Sequence, residues 1–548
     1  MRSCCVRTPP GTPAIAVLLL LLGFAASAHA QSAGAQPDDE LARLMREINA
    51  LERESRLLLD RISESEDSGL PRLETPLPAL PVTVLQDKLA QQHVPPLPAP
   101  PVVPDNSTFG SSLDPNLSQP VVPGPHWESP HTHSMQPQHY DRQHYRPRLI
   151  SKFDDGFVVE TEDEEFELRI RLMQQTDFKL FVPTDQEPAR PGVYIPRFRS
   201  YFEGHITRSF DYELSLQRSV EGEFDVLDAN LNFHPSEEFQ VKLGRFLLPY
   251  SYDWYDHLEQ FFITPERALY PLNFGLSREA GAMVWGELND GRLQYALGGF
   301  SGQLAGVADT NTTRDGVAYF NARPFDSPLL ENLNVGGSIA LGNQAFEAEA
   351  LPMRTSIQAS ENDEAAQAAS AVFLEFDEDA VILGARKQAA VHMAWYVCQF
   401  SLETEFQYGE FRFRTPTDDP TLPVLGYHVT TSYFLTGEEV RDRSLVIPLD
   451  PFNPASGQCG LGAIEAFFRF GRLSLGEEVF TQGLADPADW SRSASTIDLG
   501  WNWYPNRYVK FYFDWQASLF DSPVLVDSET GKRDRRSDLF WIRAQVFL

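Results

Sequence analysis

The sequence predicts an all-β protein, a transmembrane antiparallel β-barrel of about 16–18 strands with an N-terminal short coiled-coil helix and a Pro-rich linker. From about residue 165 onward, apolar and polar residues alternate in long segments. The mean hydropathy of −0.30 is too polar for a helical membrane protein. It suits a barrel, because only every second strand residue faces lipid.

The N-terminus, residues 1–30, is expected to be a secretory signal peptide. Arg2 and Arg7 are followed by an apolar run over residues 14–26 and by the small-residue cleavage pattern of residues 28–30. That run is too short to span a bilayer as a helix.

Residues 38–66 are predicted to form a short coiled coil, because apolar residues recur there at alternating spacings of three and four. The seam consists of Leu41, Leu44, Ile48, Leu51, Ser55, Leu58 and Ile62. A solvated amphipathic helix is the alternative. Residues 67–147 form a Pro- and His-rich linker that we expect to be extended, and residues 148–548 form the barrel domain.

No cofactor or metal is predicted. The linker histidines are interpreted as polar filler with incidental metal affinity, since a specific site needs fixed geometry. Cys398 and Cys459 are the cysteines that follow the signal peptide, and they either stay free or pair in an oxidising compartment.

The alternation is clearest at the two ends of the barrel domain. Near its start, Leu168 and Ile170 interleave with Arg169 and Arg171. At the C-terminus, residues 540–548 alternate up to the last position. A period of two gives a strand one apolar and one wet face. Two further features favour a membrane barrel over a soluble sandwich. The strands are long, and aromatic residues cluster at strand ends, as interfacial girdles do. The aromatic residues in question are Trp501, Trp503, Tyr504 and Trp541.

Several motifs resemble the phosphate-selective porin family. They are LGRFLLPY at 243–250, LGGF at 297–300, GYHVTTSYFLTGE at 426–438, GAIE at 462–465, GWNWYPN at 500–506 and RAQVF at 543–547. The resemblance covers roughly residues 165–548. It implies a trimeric porin of about 16 strands, narrowed by an inward-folding loop. In the family's characterised anion pores, Arg and Lys line the passage, but no basic run here matches that ladder residue by residue.

Alternation also assigns basic side chains to the lumen. An Arg on the lipid face would cost about 2–4 kcal/mol at the bilayer midplane. The candidate pore-lining residues are therefore Arg169, Arg171, Arg197, Arg199, Lys242 and Lys510. Guanidinium groups suit anions through their fork of donors. Acidic residues point inward by the same counting, so anion selectivity, general or cation-leaning diffusion, and another solute class all stay open.

Residues 251–280 break the alternation and carry Arg267 and Arg278 among many aromatic residues. A long irregular segment between strands is usually functional. It is interpreted either as a constriction loop that contains both arginines or as an aromatic extracellular cap.

These observations predict a porin in the outer membrane, with its N-terminal extension in the periplasm. It would pass small hydrophilic solutes or ions, including phosphate or other anions, and assemble as a homotrimer. The alternative is a structural anchor in which the coiled coil and linker tether the envelope. An enzyme is not expected, because no nucleophile, zinc or phosphate-loop motif is found. The net charge of −32 argues against nucleic acid as a partner.

Overall fold

A computed structural model of the chain describes residues 147–548, except 185, 187–188, 219–223, 303–312 and 358–368. The predicted signal peptide, the coiled coil and all of the linker except Pro147 lie outside the described residues. Among the helices of the described part, none combines the length and apolar character needed to cross a membrane.

The described chain is built almost entirely of β-strands. In chain order they are β1 (Leu149–Phe153), β2 (Phe157–Thr161), β3 (Glu167–Val182), β4 (Gly192–Thr207), β5 (Phe210–Arg218), β6 (Phe224–Ser236), β7 (Phe239–Leu247), β8 (Arg278–Leu288), β9 (Leu293–Phe300), β10 (Asp315–Ala322), β11 (Leu333–Glu349), β12 (Met353–Arg354), β13 (Val372–Leu374), β14 (Val381–Val397), β15 (Phe400–Arg414), β16 (Thr421–Phe434), β17 (Phe452–Asn453), β18 (Gln458–Cys459), β19 (Ala463–Leu475), β20 (Ser493–Asn506), β21 (Val509–Asp527) and β22 (Lys532–Phe547). The helices are α1 (Leu269–Phe274) and α2 (Glu478–Thr481), with single helical turns at Tyr252–Asp256, Glu259–Phe261 and Pro454–Ser456.

The long strands form a closed antiparallel barrel of 16 strands. Each barrel strand pairs with its neighbour along the chain, and β22 closes the barrel on β3, with Phe540 opposite Leu180. The prediction of about 16–18 strands is thereby confirmed. A hairpin of β1 and β2 extends the sheet beyond the barrel, because β2 pairs with the first residues of β3, where β22 has ended.

The two faces of the barrel wall follow the predicted period of two. On β22, Phe540 and Ile542 are exposed on the outside, whereas Trp541 and Arg543 are buried on the inside. The interpretation of Trp541 and Tyr504 as interfacial aromatic residues was wrong. Trp541 is 1% exposed and Tyr504 6% exposed, and both point into the barrel, because each lies at an inward position of its strand.

The connections differ between the two ends of the barrel. At one end, which we call the turn end, most connections are tight, such as residues 208–209, 398–399 and 507–508. Longer connections gather at the opposite loop end and include residues 248–277, 350–380 and 476–492. Side chains from these three segments share one buried apolar cluster, to which Tyr270, Phe373 and Leu484 belong. Residues 435–462 are an unusually long connection at the turn end.

Candidate pore constriction

The connection between β7 and β8, residues 248–277, crosses the barrel interior, and we call it the crossing loop. It touches inward-facing side chains of β15 on one side and of β4 and β22 on the other. A segment that reaches strands so far apart around the wall must cross the lumen. The LGRFLLPY motif leads into it, since β7 ends at Leu247 and Tyr250 is already fully buried.

Glu405 on β15 holds the first turn of the crossing loop. Its carboxylate accepts hydrogen bonds from the Tyr252 backbone N–H at 2.8 Å, the Ser251 hydroxyl at 2.8 Å and the Asp253 N–H at 3.4 Å. Helical turns begin with backbone N–H groups that lack partners, and a carboxylate at that position satisfies them. Glu405 therefore fixes where the loop leaves the wall.

A second contact lies beside this anchor. The hydroxyl groups of Tyr252 and Tyr396 are 2.9 Å apart, and Tyr396 donates to Glu403 at 2.9 Å. The other carboxylate oxygen of Glu403 lies 3.4 Å from Nδ1 of His257 in the crossing loop. β14 and β15 thus contact the loop through the hydroxyl group of Tyr396 and the carboxylate of Glu403.

On the far side of the lumen, Glu259 and Glu266 of the crossing loop face the arginines of β4. Arg197 donates to Glu266 at 2.8 Å, and its Nε lies 3.8 Å from Glu259. Arg199 binds Glu259 through both terminal nitrogens, one of them at 3.3 Å. Burial raises the pKa of the Glu259 carboxyl, but the guanidinium groups of Arg199 and Arg197 outweigh it and hold that pKa well below its usual range. The carboxylate therefore stays ionised.

Between these contacts, residues 260–266 of the crossing loop present their main-chain carbonyls to the barrel wall. Six of these seven carbonyl oxygens, all but that of Thr264, accept hydrogen bonds from wall or turn side chains instead of from a sheet neighbour. The pairs are Gln260 with Gln545, Phe261 with Arg443, Phe262 with Lys510, Ile263 with Asn502, Pro265 with Arg543, and Glu266 with Arg469. Buried carbonyls need such partners, so this stretch is held by side chains of the wall and by Arg443 of the turn-end segment.

The wall cations also have acidic neighbours on adjacent strands. Arg543 makes a two-pronged pair with Asp177 at 2.6 and 2.9 Å. Arg469 pairs in the same way with Asp498 at 2.9 and 3.1 Å. Both pairs are buried, and a buried charge without such compensation would be costly. Five basic side chains that contact the crossing loop lie on four of the six strands from β19 round to β4. They are Arg197, Arg199, Arg469, Lys510 and Arg543. We call these five residues the basic sector.

The structure places the candidate residues at different levels of the barrel. Arg197, Arg199 and Lys510 meet at the crossing loop. Arg169 and Arg171 lie near the turn end, where they pair with Glu167 at 3.3 Å and Glu203 at 2.6 Å.

The other three candidates have different surroundings. The ammonium group of Lys242 lies between Phe246 and Trp285, at 5.7 and 5.6 Å from the ring centroids. Arg267 belongs to the crossing loop and lies 4.2 Å above the Trp254 ring. Arg278 lies outside that loop, as the first residue of β8, and its Nε is 3.0 Å from Asp228.

Sequence reasoning did not select Arg443, Arg469 or Arg543. Alternation carried the signal for two of them, because Arg543 stands between Ile542 and Ala544, and Arg469 stands between Phe468 and Phe470. Arg443 lies in the irregular segment 435–462, where no period exists to indicate a side.

Three of the recognised motifs converge on one buried carboxylate, that of Glu465. It accepts hydrogen bonds from Ser432 at 2.7 Å, Arg443 at 2.8 Å, Asn502 at 3.0 Å and Tyr504 at 2.7 Å. Glu465 belongs to GAIE, Ser432 to the LTGE motif segment, and Asn502 and Tyr504 to GWNWYPN. Since Arg443 also donates to the Phe261 carbonyl at 3.2 Å, this hub connects the turn-end segment to the crossing loop.

A small cavity lies where the crossing loop meets β15, β16 and β19. Its lining includes Asp253, His257, Glu403, His428 and Arg469. Within the described ranges, no three His, Cys, Asp or Glu side chains are arranged to hold a metal ion. The cavity is lined mainly by charged and polar side chains and has room for about one water molecule.

The family model described as "Phosphate-selective porin O and P" matches residues 166–519. The chain belongs to this family. The resemblance seen in the motifs is thereby confirmed. This porin is also 24% identical over 389 residues to Porin O of Pseudomonas aeruginosa, a match that covers 66% of this chain and 85% of that protein.

Solved outer-membrane proteins also resemble the barrel. OmpT of Vibrio cholerae is 9% identical, with a TM-score of 0.42, over 70% of this porin and 99% of that chain. The anion-selective porin from Comamonas acidovorans is 11% identical, with a TM-score of 0.43, over 70% and 100%.

Family and fold together make this porin an outer-membrane channel for the passive diffusion of small hydrophilic solutes. The alternative of a structural anchor draws no support from these comparisons.

Proposed function

We propose that this porin prefers small anions, with oxyanions of the size of phosphate as its main solute class. The observation that carries the proposal is the basic sector. Its five cationic side chains come from one side of the barrel wall, between β19 and β4, and all contact residues 259–266 of the crossing loop. Cationic groups that line a narrow passage with low-dielectric walls raise the local concentration of anions.

The opposite wall sharpens this preference. Glu403 and Glu405 on β15 face the basic sector across the crossing loop. Glu405 accepts hydrogen bonds from the first turn of the loop, and Glu403 lies 3.4 Å from Nδ1 of His257 in the loop. An anion in transit would therefore travel along the β19–β4 side, where N–H donors are concentrated. The description of the matched family as phosphate-selective supports the same solute class.

Reconstitution in a planar lipid bilayer tests the proposal. Across a KCl gradient, the reversal potential should have the sign of chloride preference, and inorganic phosphate should reduce the chloride current. The R197Q/R199Q variant should move the reversal potential toward zero, whereas R414Q, which removes an exposed charge near the loop end, should leave it unchanged. A cation-leaning current that is insensitive to phosphate would contradict the proposal.

The finer topology is also a proposal. The chain enters the barrel at the start of β3, which lies at the turn end, and short turns of outer-membrane barrels face the periplasm. Residues 38–147 would therefore lie on the periplasmic side, and their deletion should leave single-channel conductance unchanged. Homotrimer formation stays a prediction from the family resemblance, and native mass spectrometry in detergent checks it.

A further inference from the structure

The crossing loop occupies the donors that an anionic solute would use. Glu259 and Glu266 carry carboxylates that bind the guanidinium groups of Arg199 and Arg197. Carboxylates and phosphate-like oxyanions compete for the same fork of N–H donors, because both accept two parallel hydrogen bonds from guanidinium.

We propose that Glu259 and Glu266 act as internal competitors for oxyanion solutes, and that a permeating oxyanion passes by replacing them on Arg197 and Arg199. This inference rests on the proposed anion preference. It adds that the loop carboxylates set how strongly the pore holds its solute.

The geometry allows the two side chains to exchange without release of the loop backbone. The main-chain carbonyls of residues 260–263, 265 and 266 keep their own side-chain donors, such as Gln545 for Gln260 and Asn502 for Ile263, both at 2.8 Å. The first turn is held separately by Glu405. Only the two glutamate side chains need to rotate away for the guanidinium groups to become available.

The charge balance makes the exchange feasible. Removal of a carboxylate from a buried guanidinium group without replacement leaves an unpaired charge, which is strongly unfavourable. An oxyanion that arrives as the carboxylate leaves keeps the pair compensated. Arg197 lies between the two carboxylates, 2.8 Å from Glu266 and 3.8 Å from Glu259, so one solute anion at this position competes with both.

The alternative is that the two ion pairs only hold the loop and never open during transport. In that case their neutralisation would alter folding or loop stability but not the affinity for phosphate. The experiment must therefore measure solute binding in a correctly folded channel.

The E259Q/E266Q variant provides the first test, since the amides keep the volume and an acceptor oxygen but remove both charges. The concentration of inorganic phosphate that halves the chloride current should fall by about tenfold, which corresponds to about 1.4 kcal/mol. Anion preference in a KCl gradient should also increase. The matched control is E347Q/E410Q, which removes two exposed carboxylates at 61% and 36% exposure and should leave both readouts unchanged.

A second test uses the wild-type channel, so its result does not depend on correct folding of the variant. Carbodiimide-driven amine labelling, read by mass spectrometry, should increase at Glu259 and Glu266 when sulfate is added, because displaced carboxylates become accessible. Labelling at Glu405 should not change. If sulfate leaves labelling at Glu259 and Glu266 unaltered or lowers it, the competitor role is wrong.

Different results would overturn the proposed function and the competitor role of the two glutamates. A wild-type channel that favours cations and ignores phosphate overturns the proposed function. A wild-type channel that favours anions, combined with an E259Q/E266Q variant of unchanged half-blocking concentration, overturns only the competitor role.

Discussion

Replacement of Glu405 by Ala should release the crossing loop from the β15 side of the wall. Glu405 makes three hydrogen bonds to the first turn of the loop, from Tyr252, Ser251 and Asp253. A hydrogen bond contributes about 0.5–1.5 kcal/mol net, so three of them together contribute about 2–4 kcal/mol. A loss of that size would raise the undocked population of the loop by roughly 30- to 1,000-fold.

The barrel itself should tolerate this change, because the strand ladder of β14–β16 does not involve the Glu405 side chain. In a planar bilayer we expect larger mean conductance and more open-channel noise from the E405A variant. Limited trypsin digestion should cut after Arg267, which is 4% exposed in the docked loop. The thermal midpoint of the barrel in detergent should change little.

Two further variants serve as an intermediate case and as a control. E405Q keeps one acceptor oxygen and should lie between wild type and E405A in noise and in trypsin sensitivity. E410A alters an exposed residue of the same strand and should match wild type. If E405A shows wild-type noise and resists trypsin at Arg267, the carboxylate does not anchor the loop and the assignment is refuted.

Three other substitutions probe the wall. G244A should slow or prevent barrel assembly in a detergent refolding assay. Gly244 has a φ of 122°, and an added Cβ would lie 2.3 Å from the Ala229 carbonyl oxygen. The control G299A should fold normally, because a Cβ at Gly299 meets nothing within 4 Å. E465A removes the shared acceptor of four donors and should lower the unfolding free energy by about 3–5 kcal/mol in a urea titration; an unchanged midpoint would contradict the role of the hub. L297R places a charge on the lipid face, where Leu297 is 55% exposed, and should cost about 2–4 kcal/mol in folding from urea into lipid vesicles. A neutral result for L297R would mean that this face does not meet hydrocarbon.

The wall of the barrel could be predicted from sequence because alternation is a local signal. It assigned Arg197, Arg199 and Lys510 to the inside, and the same rule applies to Arg543. The prediction that Trp541 and Tyr504 face the membrane interface was wrong, because it was based on residue type and not on position in the strand. Inward direction follows from parity, whereas aromatic character alone fits either side.

The partners of these side chains could not be predicted, because they are set by closure of the barrel. Arg543 and Asp177 are 366 residues apart in the chain and meet only where β22 joins β3. The contacts of the crossing loop depend on the same closure, since its carbonyls reach donors on strands that follow it by about 200 residues or more, such as Lys510, 248 residues beyond Phe262. The periodicity of a segment does not show which distant residues lie at the same height in the barrel.

The hub at Glu465 gathers several of the recognised motifs at a place distinct from the ion pairs of Arg197 and Arg199 with the crossing loop. Three of the six segments that carry the resemblance meet at this buried carboxylate near the turn end. Arg197, Arg199, Glu259 and Glu266 lie outside all six segments, whereas Arg543 of the basic sector belongs to one of them. Substitutions at the four positions outside the segments would therefore leave the hydrogen bonds of the Glu465 hub in place. Porins that share these motifs but differ in solute preference are expected to differ in the residues of β4 and the crossing loop.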